Sequence, residues 1–150
     1  MLLNNLSKHE SVINKLLPLE NASKNKDVEI LDNLLDIFVK GDLAEPAYNK
    51  SATFDFLAGV FANITTCPQG CQFFLHSSTL DGFKRLEKLL VFTEHAKIIR
   101  RGGCVSAIKN IAYSANLSKV GIDMLLDPQL NLIVYILLPL SGPEDYKEEV

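Results

Sequence analysis

Apolar residues recur along this chain at helical spacing, and one order of stretches is written three times. Each copy starts with an apolar stretch that closes on Asn and small or apolar neighbours, continues through a second apolar stretch, and ends in a third that closes on a Leu-Leu pair. The copies run from Asn5-Leu6-Ser7 to Leu34-Leu35, from Asn63-Ile64-Thr65 to Leu89-Leu90, and from Asn110-Ile111-Ala112 to Leu137-Leu138. Asn and the first Leu are 29 residues apart (5 to 34), then 26 (63 to 89), then 27 (110 to 137), whereas Asn itself recurs after 58 and 47. A steady internal offset with a longer first period is the mark of a repeated helical unit with an insertion in its first copy.

Local signals place the individual helices. Ser7-x-x-Glu10 is a capping-box pattern, in which the Ser hydroxyl accepts from the third helical amide and the Glu reaches back to the Ser amide; it opens a helix over residues 8–17. Asp27 and Glu29 near a start, Ile30, Leu31, Leu34, Leu35 and Phe38 on one face, Lys40 in the last turn and Gly41 beyond it give a second helix with a left-handed stop. Leu57, Val60, Phe61 and Ile64 form an i, i+3, i+4, i+7 stripe, so residues 52–63 read as a core-facing helix. Residues 84–92 make a shorter one.

Over residues 94–112 the stripe Ile98, Val105, Ile108, Ala112 again has helical spacing, although Gly102-Gly103 interrupts it at roughly 1 kcal/mol per glycine against alanine. Close packing where a Cβ would not fit accounts for such a pair. The other reading is a hinge, or a surface where a partner backbone approaches. Asp127-Pro128 reads as an N-cap and first-turn proline launching residues 130–138. No stretch alternates apolar and polar residues, so no strands are expected; residues 20–26 and 41–51 read as loops. The predicted fold is an all-α, armadillo- or HEAT-like right-handed superhelical solenoid of about three repeats over residues 1–140, followed by an acidic exposed tail or linker at 141–150.

Composition changes this picture little: 150 residues, 47% hydrophobic and 22% charged, suit one globular domain rather than two. Met1 to Asn5 has no basic n-region and resembles the tail of a helix, so the chain reads as a soluble piece of a longer solenoid without a secretory signal. Charge changes it more. Residues 84–119 hold eight basic residues against Glu87 and Glu94, while the remainder holds seven basic and sixteen acidic. In a helical solenoid the third helix of each unit lines the concave side, so part of the set Lys97, Arg100, Arg101 and Lys109 is expected to project into one groove suited to an acidic segment of a protein partner, the other reading being a plain solvated face. Arg101 and Lys109 lie on nearly the same helix face. Nucleic acid fits less well, because the pI is near 5.6 and few aromatic residues interleave with the cluster.

No catalytic constellation emerges, and no cofactor or metal is expected. Cys67-x-x-x-Cys71 has no second Cys or His pair, and His76 stands apart. Three cysteines outside any metal-type array suit a reducing compartment with free thiols. Asp32 and Asp36 share a face at i, i+4, as on an ordinary solvated helix. Arg101-Gly102-Gly103-Cys104 lacks the ending of a phosphate-binding loop. Asn63 and Asn110 are candidate partner contacts, since in peptide-binding armadillo proteins of the importin-α and β-catenin families an Asn on the third helix pairs with a peptide backbone. The Trp that accompanies it one turn earlier is absent: Gly59 and Ser106 stand there, and the chain has no Trp. The preferred role for both is a hydrogen bond to a neighbouring repeat.

Four phrases in register complete the reading: Leu57-Ala58-Gly59-Val60-Phe61-Ala62-Asn63-Ile64-Thr65; Leu89-Leu90-Val91-Phe92-Thr93-Glu94; Arg100-Arg101-Gly102-Gly103-Cys104-Val105 with Ile108-Lys109-Asn110; and Tyr135-Ile136-Leu137-Leu138-Pro139-Leu140-Ser141-Gly142-Pro143-Glu144. Together they resemble the Hgh family, eukaryotic armadillo-repeat proteins that act as folding cofactors for translation elongation factor 2. The resemblance implies a cytoplasmic scaffold without enzymatic activity that binds newly made elongation factor 2 and links it to the cytosolic chaperonin and Hsp90. It also implies that this chain corresponds to the middle of a longer protein, and it marks the basic phrase from Arg100 to Asn110 for partner contact.

Overall fold

The computed structural model describes residues 1–17, 26–41, 49, 52–78 and 80–140, the side chains of 26–29 and 139 aside. Among them run α1 (Leu2–Leu6), α2 (Glu10–Leu16), α3 (Lys26–Lys40), α4 (Leu57–Ile64), α5 (Pro68–Leu75), α6 (Glu87–Leu90), α7 (Ile98–Ala115), α8 (Lys119–Leu125) and α9 (Leu132–Leu137), with 3-10 turns at Pro128–Leu130 and Leu138–Leu140. The described residues form helices and no strands, as the periodicity predicts; a lone bridge pairs Ser77 with Lys84. No described helix is long and apolar enough to cross a membrane. The loops expected at 20–26 and 41–51 fall largely outside the described residues, and the tail expected at 141–150 wholly so.

The core follows from the apolar stripes. On α4, Leu57, Val60, Phe61 and Ile64 are all buried, as their spacing requires. On α3 the buried face is Leu31, Leu35 and Phe38, while Ile30 turns outward at 46% exposure. Phe38 meets Phe61 edge to face at 5.4 Å between ring centroids, Phe61 meets Phe74 of α5 at 5.7 Å, and Phe38 meets Phe92 beyond α6 at 4.8 Å. These are the separations and tilts at which aromatic pairs add about 0.5–1.5 kcal/mol each beyond area burial. One chain of rings therefore joins α3, α4, α5 and the turn after α6. Gly41, with φ +54°, supplies the left-handed stop after α3.

The repeated Asn residues set the stacking register. Asn63 Nδ2 at the end of α4 donates to the Asn4 carbonyl at 3.0 Å and to Ser7 Oγ at 2.9 Å, at the end of α1. Asn110 Nδ2 on α7 donates to the Ala62 carbonyl and to Thr65 Oγ1, both at 3.3 Å, at the end of α4. Relative to the Asn of its own copy, Asn4 corresponds to Ala62 and Ser7 to Thr65, so the two bridges are one motif used twice. The hydroxyls are held from behind: Ser7 Oγ donates to the Asn4 carbonyl and Thr65 Oγ1 to those of Phe61 and Ala62.

Several local expectations give way to this packing. Ser7 does not cap α2: it ends α1, is fully buried in the Asn63 bridge, and α2 starts at Glu10 after an extended His9. The helix expected from residue 52 starts at Leu57, because Phe54 takes φ +56°. Only Glu87–Leu90 of 84–92 is α-helical. Asp127 does cap, accepting from the Gln129 amide, but the turn it opens is 3-10 and breaks at left-handed Asn131 before α9. α5 and α8 lie where the periodicity places no helix. Proline at its first position opens α5, and the Ser118 side chain, accepting from the Gly121 amide, opens α8.

The face of α7 is the main correction. Ile98 and Val105, expected in the core, are 72% and 47% exposed. The buried positions are Arg100, Cys104, Ala107, Ile108, Ile111 and Ala115, which pack chiefly on α4. Gly103 makes that approach feasible, since a Cβ there would lie 2.5 Å from Ala58 Cβ. The close-packing account of the glycine pair holds for Gly103 and not for Gly102, where a Cβ would meet nothing within 4 Å.

Candidate partner-binding surface

Most of the basic cluster is turned inward or neutralised. Arg85 forms a bidentate pair with Asp32, Nε to Oδ1 at 2.6 Å and Nη2 to Oδ2 at 2.8 Å, with both side chains buried. Asp32 is therefore no solvated carboxylate. Arg85 Nη1 also donates to the Phe73 and His76 carbonyls at the end of α5, and its guanidinium stacks 4.1 Å over the Phe73 ring. Lys84 pairs with Asp127 and Lys88 with Asp81. Each partner comes from outside the basic window, so the local excess of charge overstates what the surface presents.

Arg100 is a second inward guanidinium. It is 7% exposed, donates from Nη2 to the Phe38 carbonyl at 2.8 Å and the Thr53 carbonyl at 3.2 Å, and lies over the rings of Phe38 and Phe92. It thus satisfies a carbonyl in the last turn of α3 that has no intrahelical partner, at the helix end where a cation is favoured. Its Nε is 3.1 Å from Asp55 Oδ1, close enough for an ion pair but off line for a hydrogen bond. Lys97 Nζ reaches the other Asp55 oxygen at 3.1 Å. Burial would raise the Asp55 pKa, but a hydrogen bond from Thr53 and the charges of Lys97 and Arg100 outweigh it and hold the carboxyl below the usual carboxylate range.

Of the six candidate residues, Arg100 is thereby withdrawn from any groove, and Asn63 and Asn110 spend their amide N–H groups on the interhelical bridges. Lys97 is half exposed and shared with Asp55. Arg101 donates to the His95 carbonyl at 2.6 Å, and among the described residues no carboxylate pairs with it or with Lys109. Lys109 is exposed beside Asn110 on the rim of a groove of about 510 Å³ between α7 and the α4–α5 turn, with Thr66, Cys67, Tyr113 and Leu117 also on its walls.

Sequence reasoning misses the outward stripe of α7. Ile98, Gly102, Val105, Lys109 and Tyr113 recur every three or four residues and face solvent, and Leu117 continues the exposed face in the turn just beyond the helix, Tyr113 and Leu117 at 74% and 77% exposure. The pattern was visible as apolar periodicity but belongs to the face opposite the core. No carboxylate occurs on α7. The three thiols are free; Cys67 is half-buried, Cys71 and Cys104 are buried, and burial pushes the Cys104 thiol up to about 12, which leaves it inert as a nucleophile.

The molecule is thus an all-helical protein of short stacked helices, held in register by paired asparagine bridges and inward arginines. A family model described as a domain of unknown function, DUF383, matches residues 1–150. Protein HGH1 homolog of Schizosaccharomyces pombe is 40% identical over 152 residues, covering 99% of this chain and 41% of that protein. The homologue of Drosophila melanogaster is 32% identical over 151 residues (99% and 36%), and that of Danio rerio 31% over 149 (99% and 35%). The chain belongs to this HGH1 homologue family, and it spans 35–41% of the length of these relatives.

Proposed function

We propose that this chain is a non-enzymatic chaperone adaptor. It binds newly synthesised eukaryotic translation elongation factor 2 in the cytoplasm and helps deliver it to the cytosolic chaperonin and Hsp90. Its helices are taken as an armadillo-like right-handed solenoid, in which α1, α4 and α7 are third helices lining the concave side. The recurring bridges of Asn63 and Asn110 support that arrangement, and the family resemblance supplies the client.

The observation that carries the reading is the solvent face of α7: apolar side chains flanked by Arg101 and Lys109, with no carboxylate on the helix. Such a face attracts a segment that is itself apolar and acidic. Titration with purified elongation factor 2 tests it. Arg101→Glu combined with Lys109→Glu is expected to weaken binding about tenfold or more, and added salt to weaken binding to the unaltered chain, because exposed charges are screened. Arg100 is left intact because it is buried. An unchanged affinity overturns the reading; equal affinity for unrelated acidic segments favours a generic armadillo scaffold, and retention of RNA in place of protein a nucleic-acid role.

A further inference from the structure

Nothing among the described residues requires glycine at position 102. It lies inside the eighteen-residue α7 with helical backbone, is exposed, and a Cβ added there would meet nothing within 4 Å. Glycine is the poorest helix former after proline, because it gives up the most backbone freedom on folding. Its neighbour differs: at Gly103 a side chain would run into Ala58. Alanine at 102 would thus favour the helix at no steric cost, so whatever makes glycine useful there lies outside the described fold.

Position supplies the reason. Gly102 sits in the outward stripe between Ile98 and Val105, two exposed β-branched residues one turn to either side, with Lys109 following. A side chain at 102 would fill the notch between them. Resting on the proposed function above, we propose that Gly102 is the point of closest approach for the partner. There the main chain of an apolar, acidic segment lies against the backbone of α7, its apolar side chains on Ile98 and Val105 and a carboxylate toward Lys109. Arg101 and Lys109 give the solvent side of the helix positive charge with no carboxylate on α7, which is the complement of such a segment.

The test pairs folding with binding in the full 150-residue chain. Gly102→Ala should raise the thermal midpoint by about 2–4 °C while weakening affinity for elongation factor 2 about tenfold, as overpacking a close contact does. Gly102→Leu should weaken it further with the fold intact. A stabilised Gly102→Ala chain that binds as well as or better than the unaltered one overturns the inference. If binding survives these substitutions but falls with Arg101→Glu and Lys109→Glu, only the close approach is wrong; if the unaltered chain does not bind, the functional reading fails and the inference with it.

Discussion

Replacing Arg85 by Met is expected to cost about 3–5 kcal/mol of folding stability, because it leaves the Asp32 carboxylate buried without its bidentate partner. The same change removes the donor to the Phe73 and His76 carbonyls at the end of α5 and the cation above the Phe73 ring. A domain is stable by only about 5–15 kcal/mol, so the loss consumes much of the total. Urea denaturation followed by circular dichroism measures it. The double change Asp32→Leu with Arg85→Met should recover a large part, since replacing both members of a buried pair with apolar groups is often neutral or favourable. Equal losses in the single and double variants would mean that the capping of α5, and not the ion pair, is what the chain depends on.

Arg100→Ala is expected to cost roughly 2–4 kcal/mol, from a charged hydrogen bond to the Phe38 carbonyl and the cation–π contacts with Phe38 and Phe92. Lys109→Ala, on the exposed face of the same helix, should change stability by no more than about 0.5 kcal/mol. The contrast separates two arginine and lysine positions that a linear count of charge treats alike. Arg100→Lys should recover only part of the loss, because an ammonium cannot bond the carbonyl and lie flat on two rings at once. Urea midpoints for the three variants decide it, and an Arg100→Ala chain as stable as the unaltered one would contradict the assigned role.

The register of the helices was legible in the sequence and the orientation of the longest one was not. Asn5, Asn63 and Asn110 mark equivalent positions of the copies because the bridges need an amide at one position and, in the preceding copy, a hydroxyl two residues after its Asn, as Ser7 and Thr65 supply. The stripe of α4 was read correctly because large apolar residues fill it. On α7 the buried face mixes Ile108 and Ile111 with Arg100 and the small residues Cys104, Ala107 and Ala115, and half-buried Gly103 lets α4 approach, while Ile98 and Val105 draw the eye to the wrong side. Ser7 and Glu10 fit a capping box locally, and a long-range bridge takes Ser7 away. The fate of the basic cluster was out of reach of any local window, since Asp32 and Asp127 arrive from 53 and 43 residues away.

What remains on the surface after these corrections is a narrower site than charge counting suggested: Arg101, Lys109 and the apolar stripe around them. A photo-cross-linking residue placed at position 113, on that stripe, and a second at Phe83, 60% exposed between α5 and α6, test the assignment directly in the presence of elongation factor 2. The account predicts a covalent adduct with elongation factor 2 from position 113 and none from position 83. An adduct from position 83 with none from 113 would contradict it.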